Sequence, residues 1–449
     1  MSPRSKPGVS EGRFPLLIDK VVAGGFGLGR HEGQVVFVAR AAPGDRLLVE
    51  PVDRRRDFVR ARTVELLEPS PSRREPPCPY YESCGGCSLM HLQPEAQREI
   101  KREILLESLR RGGGVSFAGE VVVRSGPEFG YRVRARFQVK STRRGTLVGF
   151  FEPGSHRVVD VGECLQVSDE ANRVLRAVRG FLTASSRRSS EIESFELLEP
   201  VAPPDAALGR EGGRVVVHFI VKKGKGPAKG ELEELVQQEN LGGIVVSRSE
   251  LETRGRAERR VGEVRTRHRV AGYELGTSVH AFFQANRFLL GTLVDEVVAP
   301  SQERVGRAVD LYCGVGLFSL PLARVADRVV GVEISAAAVA DARLNAKGAG
   351  LDNVEFFVEG AATYAAREGF DSVDLVVADP PRPGLERAVA DALCRRPPRE
   401  LRYVSCDPAS LGRDAGRLRE GGLELARLVL LDFFPNTHHL ESVATFRRG

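Results

Sequence analysis

Two residues near the carboxyl terminus have the types and surroundings that covalent catalysis requires. Cys406 follows the short β-rich run 403–405, which predicts a thiol at the carboxyl end of a buried strand. In an open α/β sheet, side chains at that edge face the ligand cleft, where a thiolate can act as a nucleophile. Glu441 ends a segment rich in aromatic and histidine residues, and a carboxylate near a nucleophile can serve as a general base.

A loop further upstream has the features of a nucleotide-binding turn. Gly314 and Gly316 follow the apolar run that ends at Tyr312, and glycine lets a backbone approach a bound ligand closely. Glu333 ends the next predicted strand, where a carboxylate can hydrogen-bond the ribose hydroxyls of a nucleoside. Because position 319 is Ser319, the full dinucleotide fingerprint G-x-G-x-x-G is missing. The pattern favours S-adenosylmethionine over a dinucleotide.

A third polar group follows another predicted strand of the same region. The sequence there is Asp379-Pro380-Pro381-Arg382. Many enzymes that methylate amines have Asn-Pro-Pro-Tyr at this place, where the polar groups hold an exocyclic amine. The change to Asp and Arg makes an amine acceptor less favoured.

The cysteines of the chain fall into two groups. Cys78, Cys84 and Cys87 read C-x5-C-x2-C, and Cys164 stands alone further on. Seven cysteines among 449 residues exclude a disulfide-dense scaffold. In a cytosolic protein, clustered cysteines indicate a metal site or catalysis instead.

The elements that must position these residues differ between the two halves of the chain. Residues 14–67 consist of short β-rich runs between glycine-containing turns, which predicts a small OB-like barrel. Residues 95–111 have helical periodicity. From about residue 295 onward, hydrophobic strands alternate with helical stretches, which is typical of a doubly wound α/β sheet. The fold class is therefore a multidomain α/β protein.

Residues 131–140 alternate strictly between apolar and polar side chains, which predicts a half-exposed strand. Arg132, Arg134 and Arg136 share its polar face. Such a basic face favours contact with RNA, and an ordinary solvated face is the alternative.

The distribution of charge points in the same direction. The net charge is +6, with +9 over residues 1–144 and −3 over residues 145–449. Proteins that bind nucleic acid concentrate cations in this way, although a solvated basic surface has the same composition. No run of about 18 apolar residues occurs, and the first residues lack the apolar stretch of a signal peptide. We therefore expect a cytoplasmic protein without membrane-spanning helices.

Four segments together resemble a known family, the bacterial RNA uracil-5-methyltransferases. They are the loop 310–316, the Asp379–Arg382 segment, the sequence Ser405-Cys406-Asp407-Pro408-Ala409-Ser410-Leu411 and the sequence Phe434-Pro435-Asn436-Thr437-His438-His439-Leu440-Glu441. Phe282-Phe283-Gln284-Ala285-Asn286 also looks like the motif that precedes the catalytic core of the family. The resemblance covers nearly the whole chain and is greatest to the 23S ribosomal-RNA branch, whose members carry an N-terminal TRAM barrel and an iron–sulfur cluster.

The resemblance implies a role for each candidate residue. Cys406 would be the nucleophile that attacks C6 of uracil, Glu441 the base, and Asp379 a group that orients uracil or cofactor. The residues that would bind S-adenosylmethionine are Gln284, Tyr312, Gly314, Gly316, Glu333 and Asp379. Cys78, Cys84, Cys87 and Cys164 would hold a 4Fe-4S cluster, since their spacing is less typical of zinc.

The resemblance also implies a division into three domains. A TRAM barrel would occupy residues 9–68. A central RNA-binding domain with the cluster would combine residues 75–92 and 127–280, and an S-adenosylmethionine-dependent methyltransferase domain would combine 93–126 and 281–449. The protein is expected to act on RNA as a monomer.

Two alternatives and three departures accompany this interpretation. The substrate could be the T-loop uridine of transfer RNA, or the chain could be a non-catalytic RNA-binding or redox-sensing protein, against which the intact Cys406 and Glu441 argue. The family commonly has Asn where this chain has Leu317 and Asp407, and a further Asn is replaced near Gly360.

Overall fold

The computed structural model describes residues 12–201, 214–248, 258–299 and 305–449. The chain divides into two compact units. Unit 1 comprises Met1–Glu107 and Phe434–His439, and unit 2 comprises Ser108–Phe433 and Leu440–Gly449. Across the four described ranges, no helix has the length and apolar character needed to cross a membrane.

Unit 1 is built on a closed five-stranded barrel with the order β1-β2-β3-β5-β4. Phe14, Leu16 and Ile18 are buried in its core, and the residues between them face outward. This alternation follows because successive side chains of a strand point to opposite faces. The small N-terminal barrel predicted from the sequence is confirmed. Its strands are β1 (Phe14–Val22), β2 (Phe26–His31), β3 (Gln34–Ala39), β4 (Arg46–Arg54) and β5 (Phe58–Glu68).

A buried carboxylate fastens the segment that follows the barrel. Asp45 is fully buried and accepts hydrogen bonds from the backbone amides of Ala42 and Ser70. It also forms an ion pair with Arg73, with 2.6 Å between nitrogen and oxygen. Burial opposes ionisation, but the bonds from Arg73 and the two amides hold the pKa of Asp45 below its ordinary value. Helix α1 (Pro94–Gly113) follows, beginning in unit 1 and ending in unit 2.

The first sheet of unit 2 has seven strands in the order β13-β12-β11-β10-β7-β8-β9. One face packs on helix α2, where Phe137, Phe195 and Phe219 share a core with Val174 and Val178. The strand predicted at 131–140 is observed as β7, shifted toward its carboxyl end. The strands are β7 (Arg134–Thr142), β8 (Gly145–Phe151), β9 (Val158–Asp160), β10 (Ile192–Leu198), β11 (Val216–Val221), β12 (Gly243–Arg248) and β13 (Arg259–Gly262). The helices are α2 (Asp169–Thr183), α3 (Ser186–Glu191) and α4 (Lys229–Gln238).

The second sheet of unit 2 has eight strands in the order β18-β17-β16-β19-β20-β22-β21-β6. Strands β16 to β20 are mutually parallel, and β22 runs antiparallel to β20 and β21. The strand order reverses between β16 and β19, and a crevice forms at the carboxyl ends of strands at such a point. The strands are β6 (Val121–Arg124), β16 (Val305–Leu311), β17 (Ala326–Glu333), β18 (Val354–Val358), β19 (Leu375–Ala378), β20 (Glu400–Ser405), β21 (Leu423–Leu431) and β22 (Glu441–Arg448).

Six helices and one hairpin accompany this sheet within the described residues. The helices are α5 (Leu290–Val298), α6 (Ser319–Val325), α7 (Ala336–Gly348), α8 (Ala361–Glu368), α9 (Arg387–Arg395) and α10 (Pro408–Glu420), and the hairpin pairs β14 (Thr266–Val270) with β15 (Tyr273–Thr277). The multidomain α/β class with a small barrel is confirmed, whereas the three domain boundaries stay predictions.

Glycines bring the end of helix α1 against helix α10, which begins directly after Cys406 and Asp407. A Cβ on Gly412 would lie 2.2 Å from the carbonyl oxygen of Ser108, and a Cβ on Gly113 would lie 2.2 Å from that of Gly412. Both distances are far below van der Waals contact, so only glycine allows this approach.

We predict that Gly412→Ala destabilises the protein by about 1–3 kcal/mol, because the added methyl group forces the two helices apart. Chemical denaturation measures the loss. The matched control is Gly180→Ala in helix α2, where a Cβ would meet nothing within 4 Å. Alanine there should be neutral or stabilising by up to about 1 kcal/mol, owing to its higher helix propensity. Equal effects of the two substitutions would contradict the steric account.

Candidate active site

Neighbouring strands of the eight-stranded sheet bring the predicted nucleophile and base together. Ser405, the last residue of β20, pairs with Ser442, the second residue of β22. The two strands are antiparallel, so Cys406, the residue after Ser405, and Glu441, the residue before Ser442, lie on the same side of this pair. Both are therefore at one edge of the sheet. Asp379 comes directly after β19, the parallel neighbour of β20, and so reaches the same edge.

The Cys406 thiol is held in its neutral form. Burial, and to a smaller extent the nearby carboxyl groups of Glu441 and Asp379, together raise its pKa to about 11, while Arg382 acts in the opposite direction. A negative thiolate is disfavoured where solvent is scarce and acidic groups are close. The Cys406 thiol is therefore protonated in the free site, and it ionises readily only if the surroundings of its sulfur change.

The two carboxyl groups are also shifted toward their neutral forms. Burial raises the pKa of Asp379 to about 7, although a hydrogen bond of 3.1 Å from the side-chain amide of Gln284 favours the carboxylate. Burial and the neighbouring Asp379 raise the pKa of Glu441 well above its ordinary value. A raised pKa makes the carboxylate form a stronger base, which suits a general base.

The loop after β16 has the backbone conformation that the glycine pattern predicts. Tyr312, Gly314 and Gly316 have φ angles of 63°, 55° and 90°, all in the left-handed region. A Cβ on Gly316 would lie 2.6 Å from Cδ1 of Leu320, so both φ and close packing require glycine there. A Cβ on Gly314 would meet nothing within 4 Å, so its backbone faces open space.

Glu333 lies at the end of β17 and is fixed by this loop. Its carboxylate accepts hydrogen bonds from the backbone amides of Gly314, at 3.3 Å, and Ser335, at 2.7 Å. These bonds orient the side chain at the carboxyl edge of the sheet, where the ribose of a nucleoside cofactor binds in folds of this kind.

Two residues that sequence analysis did not assign also shape the site. Asp310 is fully buried at the end of β16 and accepts a hydrogen bond from the Ser319 hydroxyl. Burial raises the pKa of Asp310 to about 7. Asn286 is fully buried as well, donates to the Phe433 carbonyl at 2.8 Å and accepts from the amide of Phe288. Both residues lie in quoted motifs, but only the fold reveals their partners.

The three departures from the family pattern have local structural consequences. Asp407 is the N-cap of helix α10, where its carboxylate accepts a hydrogen bond of 2.7 Å from the Ser410 amide. Asn and Asp are both favoured at this position, so the change keeps the capping function. Leu317 is buried in the core, and Gly360 is the N-cap of helix α8 without a side-chain cap.

The predicted basic face of β7 is largely neutralised in the structure. Arg134 and Arg136 each form an ion pair with the buried Glu196, at 2.7 and 2.8 Å. Arg134 also donates to the backbone carbonyl of Ala281. Arg132 lies just before the strand, in a bridge with Val167 and Asn286. Contact of these arginines with RNA stays a prediction.

The cysteine motif lies in unit 1, and each of its three thiols is half-buried and uncrosslinked. Burial raises the pKa of Cys84, and the adjacent Cys78 thiol adds to the shift. Cys164 belongs to unit 2, where Asn172 bonds both its amide and its carbonyl. By donor type these thiols suit a soft metal. Among the described residues, however, no three Cys, His, Asp or Glu side chains converge as metal ligands.

The segment Phe434–His439, two residues before Glu441 in the chain, packs within unit 1. Asn436 has a φ of 65°, and its carbonyl accepts from the amides of Ser88 and Leu89. Lys101 is fully buried and donates to the Phe434 carbonyl at 2.9 Å. The hydroxyl of Ser88, the residue after Cys87, accepts from the His438 amide at 2.9 Å. The cysteine loop and this segment are therefore joined by hydrogen bonds.

Comparison with known proteins decides the family. The sequence profile of the tRNA (uracil-5-)-methyltransferases matches residues 115–448. The chain belongs to this family.

Relatives of the methyltransferase extend over nearly the full chain. The 23S rRNA (uracil(1939)-C(5))-methyltransferase RlmD of Alkalilimnicola ehrlichii is 35% identical over 97% of this chain and 96% of its own. An uncharacterised RNA methyltransferase of Aquifex aeolicus is 34% identical over 96% and 97%. Among solved structures, the chain is similar to the Pyrococcus abyssi tRNA (uracil-54, C5)-methyltransferase in complex with S-adenosyl-L-homocysteine. The TM-score is 0.73 and the sequence identity 26%, and the match covers 97% of this chain and 100% of that one.

These findings confirm the family resemblance and the enzyme class. The protein is an S-adenosylmethionine-dependent RNA (uracil-C5)-methyltransferase. The role of each individual site residue stays a prediction.

We predict that alkylation of Cys406 by iodoacetamide, measured by mass spectrometry of its peptide, accelerates about tenfold per pH unit over the whole range below the raised pKa. Glu441→Gln should move this profile to lower pH, because it removes an acidic neighbour that opposes ionisation of the thiol. Cys406→Ser gives the background from other cysteines. A wild-type rate that levels off near pH 8.5, about the value of an unperturbed thiol, would contradict the described site.

Proposed function

We propose that this methyltransferase modifies C5 of a uridine in 23S ribosomal RNA through a covalent adduct between Cys406 and the uracil ring. The observation that carries the proposal is the position of Cys406 beside Glu441 at the carboxyl edge of the sheet, with Asp379 on the adjacent strand. A nucleophile and a base with a raised pKa are the two groups that such a reaction needs.

The reaction follows from the poor nucleophilicity of C5 in uracil. The Cys406 thiol gives its proton to solvent, and its sulfur bonds to C6, which makes C5 enolate-like. C5 then takes the methyl group of S-adenosylmethionine, and S-adenosylhomocysteine is released. The ionised carboxylate of Glu441 takes the proton from C5, the C5–C6 double bond re-forms, and the Cys406 thiolate leaves and regains a proton from solvent. The uridine must leave its stack to reach Cys406, so base flipping is expected.

The cofactor would lie against the loop after β16. Tyr312, Gly314 and Gly316 would contact it through the backbone, and Glu333 would bond the ribose from its fixed position. Gln284 donates to Asp379, and this pair would orient the uracil edge or the cofactor. When bound, S-adenosylmethionine supplies the methyl group. The protein orients the reactants, and its side chains carry out the attack on C6 and the removal of the C5 proton.

Ribosomal RNA is favoured over transfer RNA as the substrate. Three relatives that are named 23S rRNA (uracil(1939)-C(5))-methyltransferases are 31–35% identical over at least 94% of this chain. Identity to the Pyrococcus abyssi transfer-RNA enzyme is 26%. A non-catalytic RNA-binding or redox-sensing role is disfavoured, since the chain retains both Cys406 and Glu441.

Two further features belong to the proposal. The closed barrel of unit 1 would act as a TRAM domain that binds RNA, and Cys78, Cys84, Cys87 and Cys164 would hold a 4Fe-4S cluster. Four uncrosslinked thiols at the family spacing support the cluster. Methyl transfer needs no redox step, so we assign the cluster a structural or RNA-shaping role. Action in the cytoplasm as a monomer stays a prediction.

We predict that Cys406→Ala abolishes methylation while S-adenosylmethionine still binds, because only the nucleophile is lost. Glu441→Gln should instead trap the protein on RNA, since the C5 proton cannot leave. A denaturing gel detects the adduct with a 23S fragment that contains the uracil 1939 region, and a T-loop transcript serves as the comparison. Adduct on the T-loop alone would favour transfer RNA as substrate. Full activity of Cys406→Ala would overturn the mechanism.

We predict that protein purified without oxygen contains about four iron and four sulfide per chain, and that Cys84→Ser loses both. Iron and sulfide analysis with visible absorption provides the measurement, independently of activity. Cys394→Ser is the control, because this half-buried cysteine lies outside the motif and its thiol bonds the Arg417 carbonyl. A colourless wild-type protein without iron would contradict the cluster.

A further inference from the structure

Five exposed cations gather at one end of the seven-stranded sheet of unit 2. We call this group the cationic corner, and its members are Lys140, Arg143, Arg144, Lys222 and Lys223. Lys140 lies near the end of β7, and the two arginines form the turn between β7 and β8. Lys222 and Lys223 directly follow β11.

Strand register places these cations side by side. Strand β10 lies between β7 and β11, and Ser194 of β10 pairs with Gln138 of β7. At the same end of the sheet, Ile192 of β10 pairs with Val221 of β11. The chain after β11 stays close, because the Lys222 amide donates to the Glu191 carbonyl at 3.0 Å. The ends of β7 and β11 and the start of β10 therefore meet at this corner.

The corner differs from the rest of this face because its cations have no direct ion-pair partner within the described residues, although the acidic Glu193 lies near Lys222. On the same face, Arg134 and Arg136 are both ion-paired with the single carboxylate of Glu196. Within the described part of the chain, by contrast, no side chain of the cationic corner forms an ion pair or a hydrogen bond. Partial burial lowers the pKa of Lys222, and the neighbouring Lys140 and Lys223 lower it further, while Glu193 opposes the shift. Like charges are thus held near one another.

We propose that the cationic corner binds the sugar–phosphate backbone of the RNA substrate at a distance from the reacting uridine. The inference rests on the proposed function, since it takes RNA as the substrate. A cluster of unpaired cations gains most from a polyanion that neutralises several of them at once and releases its counterions. Lysines contribute point charges without reading base edges, so the corner fixes position rather than sequence.

The distance between the cationic corner and the active-site end of the sheet indicates which part of the RNA is bound. Arg134, at the start of β7, bonds the carbonyl of Ala281, three residues before Gln284. Lys140 lies six residues further along an extended strand, which corresponds to about 20 Å at about 3.3 Å per residue. A nucleic-acid strand advances about 3.4 Å per nucleotide, so the stretch from Arg134 to Lys140 spans roughly six nucleotides, and the bound phosphates lie beyond the immediate neighbours of the uridine.

The test neutralises three lysines in Lys140→Gln/Lys222→Gln/Lys223→Gln. A matched control, Lys229→Gln/Arg328→Gln/Arg387→Gln, removes the same charge from exposed residues that are paired with Glu233, Glu355 and Asp391. Binding of a long 23S fragment is measured over a series of salt concentrations. The slope of log Kd against log salt should fall by about 2 in the corner variant, and should stay unchanged in the control.

Substrate length gives a second measurement. With the long fragment, the corner variant should raise KM for RNA and leave kcat unchanged, because the reacting groups are untouched. With an RNA that extends only about three nucleotides to either side of the uridine, both constants should equal those of the wild type. Wild-type salt slope and KM in the corner variant, or equal losses with both RNAs, would overturn the inference. Wild-type protein that methylates no RNA would instead refute the proposed function.

Discussion

Desolvation of one thiol and two carboxyl groups at a single edge of the eight-stranded sheet governs the candidate active site. Cys406, Asp379 and Glu441 come from the ends of β20, β19 and β22, and burial raises the pKa of all three. Burial therefore favours the neutral form of each group, and each one opposes ionisation of the others. A base with a raised pKa and a thiol that ionises only when its surroundings change are both consequences of this crowding.

Such a site requires rigid support, and the structure provides it through buried polar contacts. Asp407 caps helix α10 directly after Cys406, and Asn286 bonds the chain near the end of β21. Glu333 is fixed by two backbone amides beside the glycine loop. Buried polar groups without partners are costly, so these bonds leave each functional side chain few alternative positions.

The seven-stranded sheet separates two uses of positive charge. Near its active-site end, Arg134 and Arg136 are paired with the buried Glu196, and their charge stabilises the fold. At the opposite end, exposed Lys140 and Lys222 lie together, and neither forms an ion pair within the described residues. Exposed, unpaired cations interact with an external polyanion at less cost than paired ones, because no internal contact must break.

Sequence motifs alone determined the family, the enzyme class and the candidate nucleophile and base. Short β-rich runs between glycine-containing turns also predicted the N-terminal barrel, because strand and turn preferences are local properties of the sequence. The position of the glycine loop was predictable for a similar reason, and glycine permits the left-handed φ angles that Gly314 and Gly316 have in the structure.

Tertiary structure alone decided what depends on residues distant in sequence. The sequence predicts a basic face at Arg134 and Arg136, but only the fold shows that both contact Glu196, about sixty positions away. The raised pKa of Cys406 likewise depends on carboxyl groups delivered by two other strands. Ion pairs and desolvation both depend on how close side chains lie in space. Strand order and register determine those distances, and neither is visible before the chain has folded.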